Sequence, residues 1–103
     1  MLEINIGSKK GILFVRLYGC LNKETTKAFD KKVVELLYKI GVNNMVLNIK
    51  NLKQIDNYGI EKIKKCYEIC DKSYICINLK QINLIKKLKW VIKEEDAINL
   101  INT

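Results

Sequence analysis

Segments with a two-residue hydrophobic period alternate along this chain with segments of helical period, and that alternation restricts the fold more than any other feature. Leu2 to Ile6 alternates apolar and polar side chains, Gly7 to Gly11 carries turn residues, and Ile12 to Tyr18 is rich in β-formers, so the chain opens as an antiparallel hairpin. Phe29, Val33, Leu36, Leu37 and Ile40 then recur at helical spacing. Thr25 or Thr26 can cap that helix, and Gly41 is placed to close its last turn in a left-handed conformation. Met45 to Ile49 reads as a short buried strand, with Lys50 to Gln54 as a polar connection. Asp56 or Asn57 offers an N-cap to a second helix with the stripe Ile60, Ile63, Tyr67 and Cys70. Tyr74 to Leu79 reads as another buried strand, Ile82, Ile85 and Leu88 mark a short helix, and Trp90 to Ile92 makes a brief edge strand. Glu94, Glu95 and Asp96 open a last helix, where three acids complement the positive end of its dipole.

Parallel strands need crossover helices, and those crossovers are right-handed. A hairpin followed by βαβ units therefore predicts an α/β fold: a small mixed sheet, N-terminal hairpin plus parallel strands, with helices mainly on one face. The 103 residues contain no proline and only isolated glycines, so no linker divides them and residues 1–103 read as a single domain.

The composition removes several classes of function. Without histidine there can be no histidine general base, no Cys-His or Ser-His nucleophile and no zinc-histidine site. No apolar run approaches the roughly 18 residues that cross a bilayer, and the N-terminus lacks the basic-then-apolar pattern of a secretory signal, so a cytoplasmic protein is expected. Cys20, Cys66, Cys70 and Cys76 are then reduced thiols; Cys66 and Cys70 share a helix face, and without histidine or paired CxxC motifs the cysteines read as core-packing or inert surface thiols, not as a metal site. No phosphate-cradling glycine loop is present, and neither a cofactor nor a small-molecule substrate is expected. The net charge of +8 invites a nucleic-acid reading, but of the 19 basic residues only Arg16 is arginine, the residue suited to bidentate phosphate and guanine contacts. The composition argues against nucleic acid. Trp90 is expected to anchor the late helix against the sheet, with an exposed hot spot as the alternative.

The most specific stretch is Val46-Leu47-Asn48-Ile49-Lys50-Asn51-Leu52-Lys53-Gln54-Ile55-Asp56-Asn57-Tyr58-Gly59-Ile60. It resembles, without a gap, the signature of the STAS domain of anti-sigma factor antagonists, in which a buried strand leads to Asp-Ser-(Ser or Thr)-Gly-Leu at a helix start. Upstream, Val15-Arg16-Leu17-Tyr18-Gly19-Cys20-Leu21-Asn22 is similar to the family's strand ending in Gly-x-Leu-Asp, and the element order also agrees. The resemblance implies a non-enzymatic docking module whose partner is an anti-sigma factor or a related serine-kinase-like switch protein. It also implies a contact surface made of Asp56, Asn57, Tyr58 and Gly59 with Gly19, Cys20, Leu21 and Asn22. In the resembled proteins a serine at the helix start is phosphorylated and the charge releases the partner.

This chain departs from that pattern at the decisive position. Asn57 stands where the phosphoacceptor serine would be, Tyr58 follows it, and Asn22 replaces the second acid. The only serines, Ser8 and Ser73, lie outside the motif. Asn57 is also readable as a helix cap, a role asparagine fills as well as serine. Two other jobs for the same chain are an accessory subunit of a membrane transport system, touching the membrane only indirectly, and an adaptor for nucleic acid or an acidic partner using Lys62, Lys64, Lys65, Lys86, Lys87, Lys89 and Lys93.

Overall fold

Five strands form one sheet in the order β1-β2-β3-β4-β5 in the computed structural model, which describes residues 1–103. Strand β1 (Leu2–Lys9) runs antiparallel to β2 (Ile12–Leu21). Strands β3 (Asn44–Ile55), β4 (Lys72–Cys76) and β5 (Trp90–Val91) then add in sequence, each parallel to the strand before it. The first crossover is a run of α1 (Thr26–Phe29), a π-helical turn (Asp30–Val34) and α2 (Glu35–Ile40). Gly41 ends it at φ 63°, ψ 54°, the left-handed cap its position predicts. Helix α3 (Asn57–Ile69) links β3 to β4, a 3-10 segment (Leu79–Leu84) links β4 to β5, and α4 (Glu94–Ile101) follows.

Both faces of the sheet are covered, unequally, because strand residues alternate sides. Leu13, Val15 and Leu17 of β2, Met45, Leu47 and Ile49 of β3 and Ile75 of β4 meet Phe29, Val33, Leu37, Ile63 and Cys66 in the larger core. The intervening Ile12, Phe14, Val46 and Cys76, with Val91, pack against Ala97 and Ile101 of α4 in a smaller one. Three of the four helices therefore share a face, as the pattern predicts, and α4 lies on the other. Cys66, Cys70 and Cys76 are buried core residues, as expected of unclustered thiols.

Several boundaries differ from the sequence reading, each for a physical reason. The turn of the hairpin is only Lys10 and Gly11, and residues 7–9 belong to β1, because antiparallel pairing with β2 satisfies the backbone groups of Gly7 and Lys9 whatever their side chains. Strand β2 likewise continues through Leu21. Residues 50–54 are strand and not connection: β3 extends beyond β4 and keeps pairing with β2 alone, so solvent reaches it and polar side chains are tolerated. Strand β4 covers 72–76 and stops before Asn78, which caps the 3-10 segment through a capping box with Gln81. That segment spans Leu79–Leu84, earlier than Ile82, Ile85 and Leu88 indicated. Trp90 is 38% exposed on the edge strand and does not serve as the anchor of α4; Val91, next to it, faces that helix.

Candidate docking site

Parallel neighbours bring their carboxyl ends together. Strands β2 and β3 are registered so that Leu21 pairs with Ile55, after irregularities between Arg16 and Tyr18 and between Gly19 and Cys20 give β3 its extra residues. The segments that follow, 22–25 after β2 and 56–59 after β3, therefore emerge side by side at one end of the sheet. The sequence separates these two groups of candidate residues by more than thirty positions, and the parallel pairing unites them.

Asp56 is the joint between them. As N-cap of α3 it has extended backbone (φ −106°, ψ −175°), and its Oδ1 accepts from the Gly59 amide at 2.9 Å. Its Oδ2 accepts from the Lys23 amide at 3.1 Å, and its own amide donates to the Leu21 carbonyl at 3.3 Å. One carboxylate thus satisfies an unpaired donor of the helix end and an unpaired donor of the neighbouring loop. Because Asp56 takes the cap, Asn57 does not: it is the first helical residue, exposed, and its amide has no hydrogen-bond partner in the chain. The reading of Asn57 as the cap is corrected by this geometry.

Asn22 organises the other segment. Its Oδ1 accepts from the amides of Glu24 (3.0 Å) and Thr25 (3.1 Å), the turn-forming habit of an Asx side chain. Thr25 stands at the N-cap position of α1, as its place in the sequence predicts, but its side chain makes no capping bond. Its hydroxyl donates to the Cys20 carbonyl and accepts from the Asn22 amide, both at 2.9 Å, and so fastens the loop back onto β2. Thr26 does not cap either; it is the first residue of α1. Thr25 and Lys23 are the contributors that motif reading missed.

Two glycines set the shape. A Cβ on Gly59 would strike the Leu21 carbonyl oxygen and lie 2.9 Å from Ile55 Cγ1, so the helix start can sit against β2 only with glycine there. Gly19 has φ +93°, and a Cβ on it would meet the Met1 carbonyl oxygen. Leu21 is fully buried and Gly59 is buried, so these two residues support the surface from beneath. Asn57 and Tyr58 form its exposed crest. Tyr58 is 55% exposed, and the Lys23 ammonium lies 5.6 Å from the centre of its ring, a cation-π contact across the two segments. Cys20 and Asn22 are half-buried beside them.

The positive end of the 13-residue α3 is met by the Asp56 carboxylate, and a neutral amide and a phenol stand exposed beside it. No group of three or more Cys, Asp or Glu side chains is arranged to hold a metal ion, and no helix is long and apolar enough to cross a membrane.

No protein-family model matches the sequence. Solved structures do match the fold. An anti-sigma factor antagonist from Mycobacterium paratuberculosis superposes with a TM-score of 0.86 at 12% identity, over 100% of this chain and 96% of that one. The anti-sigma factor antagonist SpoIIAA in its unphosphorylated form matches at 0.71 and 14% identity, over 97% of this chain and 98% of its own. The Bacillus cell fate determinant SpoIIAA in the phosphorylated form matches at 0.76 and 14%, over 96% and 99%. At such identities the likeness is one of architecture: the chain has the STAS fold of the anti-sigma factor antagonists along its full length.

Proposed function

We propose that this chain is a docking module of the anti-sigma factor antagonist type, without catalytic activity. Its partner in this reading is an anti-sigma factor or a related serine-kinase-like switch protein, met through Asn57, Tyr58, Asn22 and Cys20. Asp56, Gly19, Leu21 and Gly59 hold that surface in shape. The observation that carries the reading is the position of Asn57: exposed, first in α3, beside a cap that already satisfies the helix end. A residue there contributes nothing to capping, and its amide is free to meet a partner. An amide also cannot take a phosphoryl group as a serine hydroxyl does, so the module stays in the binding state whatever the kinase activity around it.

The test is incubation with a purified anti-sigma-type kinase and ATP, with intact mass and complex formation both measured. The expected result is a stable complex and no added phosphate. Phosphate mapped to Tyr58, or no complex with any such kinase, overturns the proposal.

A further inference from the structure

The outer edge of β1 is open, and its geometry selects a partner strand. Lys10 (φ 54°) and Gly11 (φ 76°) form a two-residue turn of the I′ kind, which makes Lys9 and Ile12 a hydrogen-bonded pair. By the alternation of an antiparallel ladder, Gly7, Asn5 and Glu3 are hydrogen-bonded to Phe14, Arg16 and Tyr18 in the same way. The Cys20 amide donating to the Met1 carbonyl at 2.8 Å continues this phase. The amides and carbonyls of Leu2, Ile4, Ile6 and Ser8 consequently point away from β2, and no other strand pairs with them.

Long open edges are usually blunted by a bulge, a proline or a charge in mid-strand. Strand β1 pairs over eight residues with no bulge, and its charges, Glu3 and Lys9, sit near its ends. Ile6, at its middle, is 36% exposed, and Ile4 and Leu2 on the same face are only half-buried against the main core. The opposite edge, β5, has two residues and offers no comparable ladder.

We propose that β1 is a self-association edge: a second copy of this chain adds antiparallel through β1, joining two five-stranded sheets across a two-fold axis. Strands that present their even-numbered backbone groups must pair even with even. With Ile6 opposite Ile6 on the axis, Ile4 falls opposite Ser8 and Glu3 falls opposite Lys9. The Glu3 and Lys9 pairs occupy non-hydrogen-bonded positions, where opposed side chains approach closely, and the symmetry makes the contact twice. This charge complementarity within one strand selects a second copy as the occupant. The two docking sites then lie at opposite ends of the joined sheet, both open.

Sedimentation of the unaltered chain should show a concentration-dependent monomer-dimer equilibrium. Ile6→Lys, which sets like charges face to face on the axis, should weaken it at least about tenfold. Lys9→Glu should weaken it, and adding Glu3→Lys to that variant should restore it. As a check that does not depend on loss, Ile6→Cys should cross-link to itself under mild oxidation, because hydrogen-bonded antiparallel pairs have a Cα separation of about 5.5 Å, within disulfide range. The unaltered chain treated identically should stay uncross-linked. A chain that remains monomeric up to about 1 mM, or a dimer indifferent to Ile6→Lys, overturns the proposal.

Discussion

Arg16 grips both carboxylate oxygens of Glu94, Nε to Oε2 and Nη2 to Oε1, each at 2.9 Å, across 78 positions of sequence. The pair ties the middle of β2 to the first turn of α4, and Asn48 of β3 adds a third bond to the same carboxylate at 2.8 Å. Helix α4 has only Ala97 and Ile101 fully in the smaller core, so this polar clamp carries a real share of its attachment. The Arg16 hydrogen bond, opposed by burial and aided by Asn48, holds the Glu94 carboxyl below its ordinary pKa of 4.5. The native state therefore binds fewer protons than the unfolded chain near that value. The stabilisation is complete above 4.5 and is lost as pH falls through the depressed native value. Glu94→Gln should lower stability by about 1 kcal/mol at neutral pH, solvent screening keeping the figure modest. Its thermal unfolding curve should converge on that of the unaltered chain in strong acid. A gap that persists there would mean that the clamp acts by shape and not by charge.

Gly59→Ala tests whether helix start and β2 are in obligatory contact. The added methyl meets the Leu21 carbonyl oxygen, a backbone atom that cannot swing aside. Overpacking of this kind costs about 1–3 kcal/mol, read from the midpoint of urea unfolding. An unchanged midpoint would show that α3 can slide away from β2, and that the docking surface is softer than its hydrogen bonds suggest.

Thiol accessibility should divide one against three. Burial pushes Cys66 up to about 12 and Cys76 up to about 11, and it raises Cys70 as well. Since the thiolate is the reactive form, these three should resist a disulfide reagent at neutral pH until the protein is unfolded. Cys20, half-buried beside the loop at residues 22–25, should react first. Rapid titration of more than one thiol in the native protein would contradict the packing of α3 and β4.

The parts of the fold that were legible are those whose signal is local. The alternation of periods gave the element order, and Gly41 closes the first crossover as its chemistry predicts. The extension of β3 was hidden because a strand end with a single neighbour and solvent on one side has no hydrophobic pattern to show. The side taken by α4 was written in Arg16 and Asn48, polar residues inside buried-looking strands whose partner, Glu94, lies too far along the chain for periodicity to find. The π turn at 30–34 left no trace, since its residues read as ordinary helix. At the site, the contiguous residues 56–59 could be recognised as a string. Lys23 joins them through its backbone amide to Asp56 and its ammonium over the Tyr58 ring, contacts across 33 positions of sequence or more that no local pattern encodes.

Asn57→Asp separates the docking role proposed for this residue from a merely structural one. Asp56 already caps α3, and the first turn contains no acid, so a carboxylate at position 57 gains from the helix dipole by about 0.3–1 kcal/mol. The domain should therefore unfold at the same temperature or slightly higher. Partner binding should fall sharply, because an unpaired carboxylate desolvated at an interface costs several kcal/mol, and about 2.7 kcal/mol is already a hundredfold in affinity. Tyr58→Ala, which removes an exposed ring and its contact with Lys23, should weaken binding without altering the helix start. Calorimetric titration of the three proteins against the anti-sigma-type partner distinguishes the cases. Equal affinities with intact unfolding curves would move recognition away from this loop altogether.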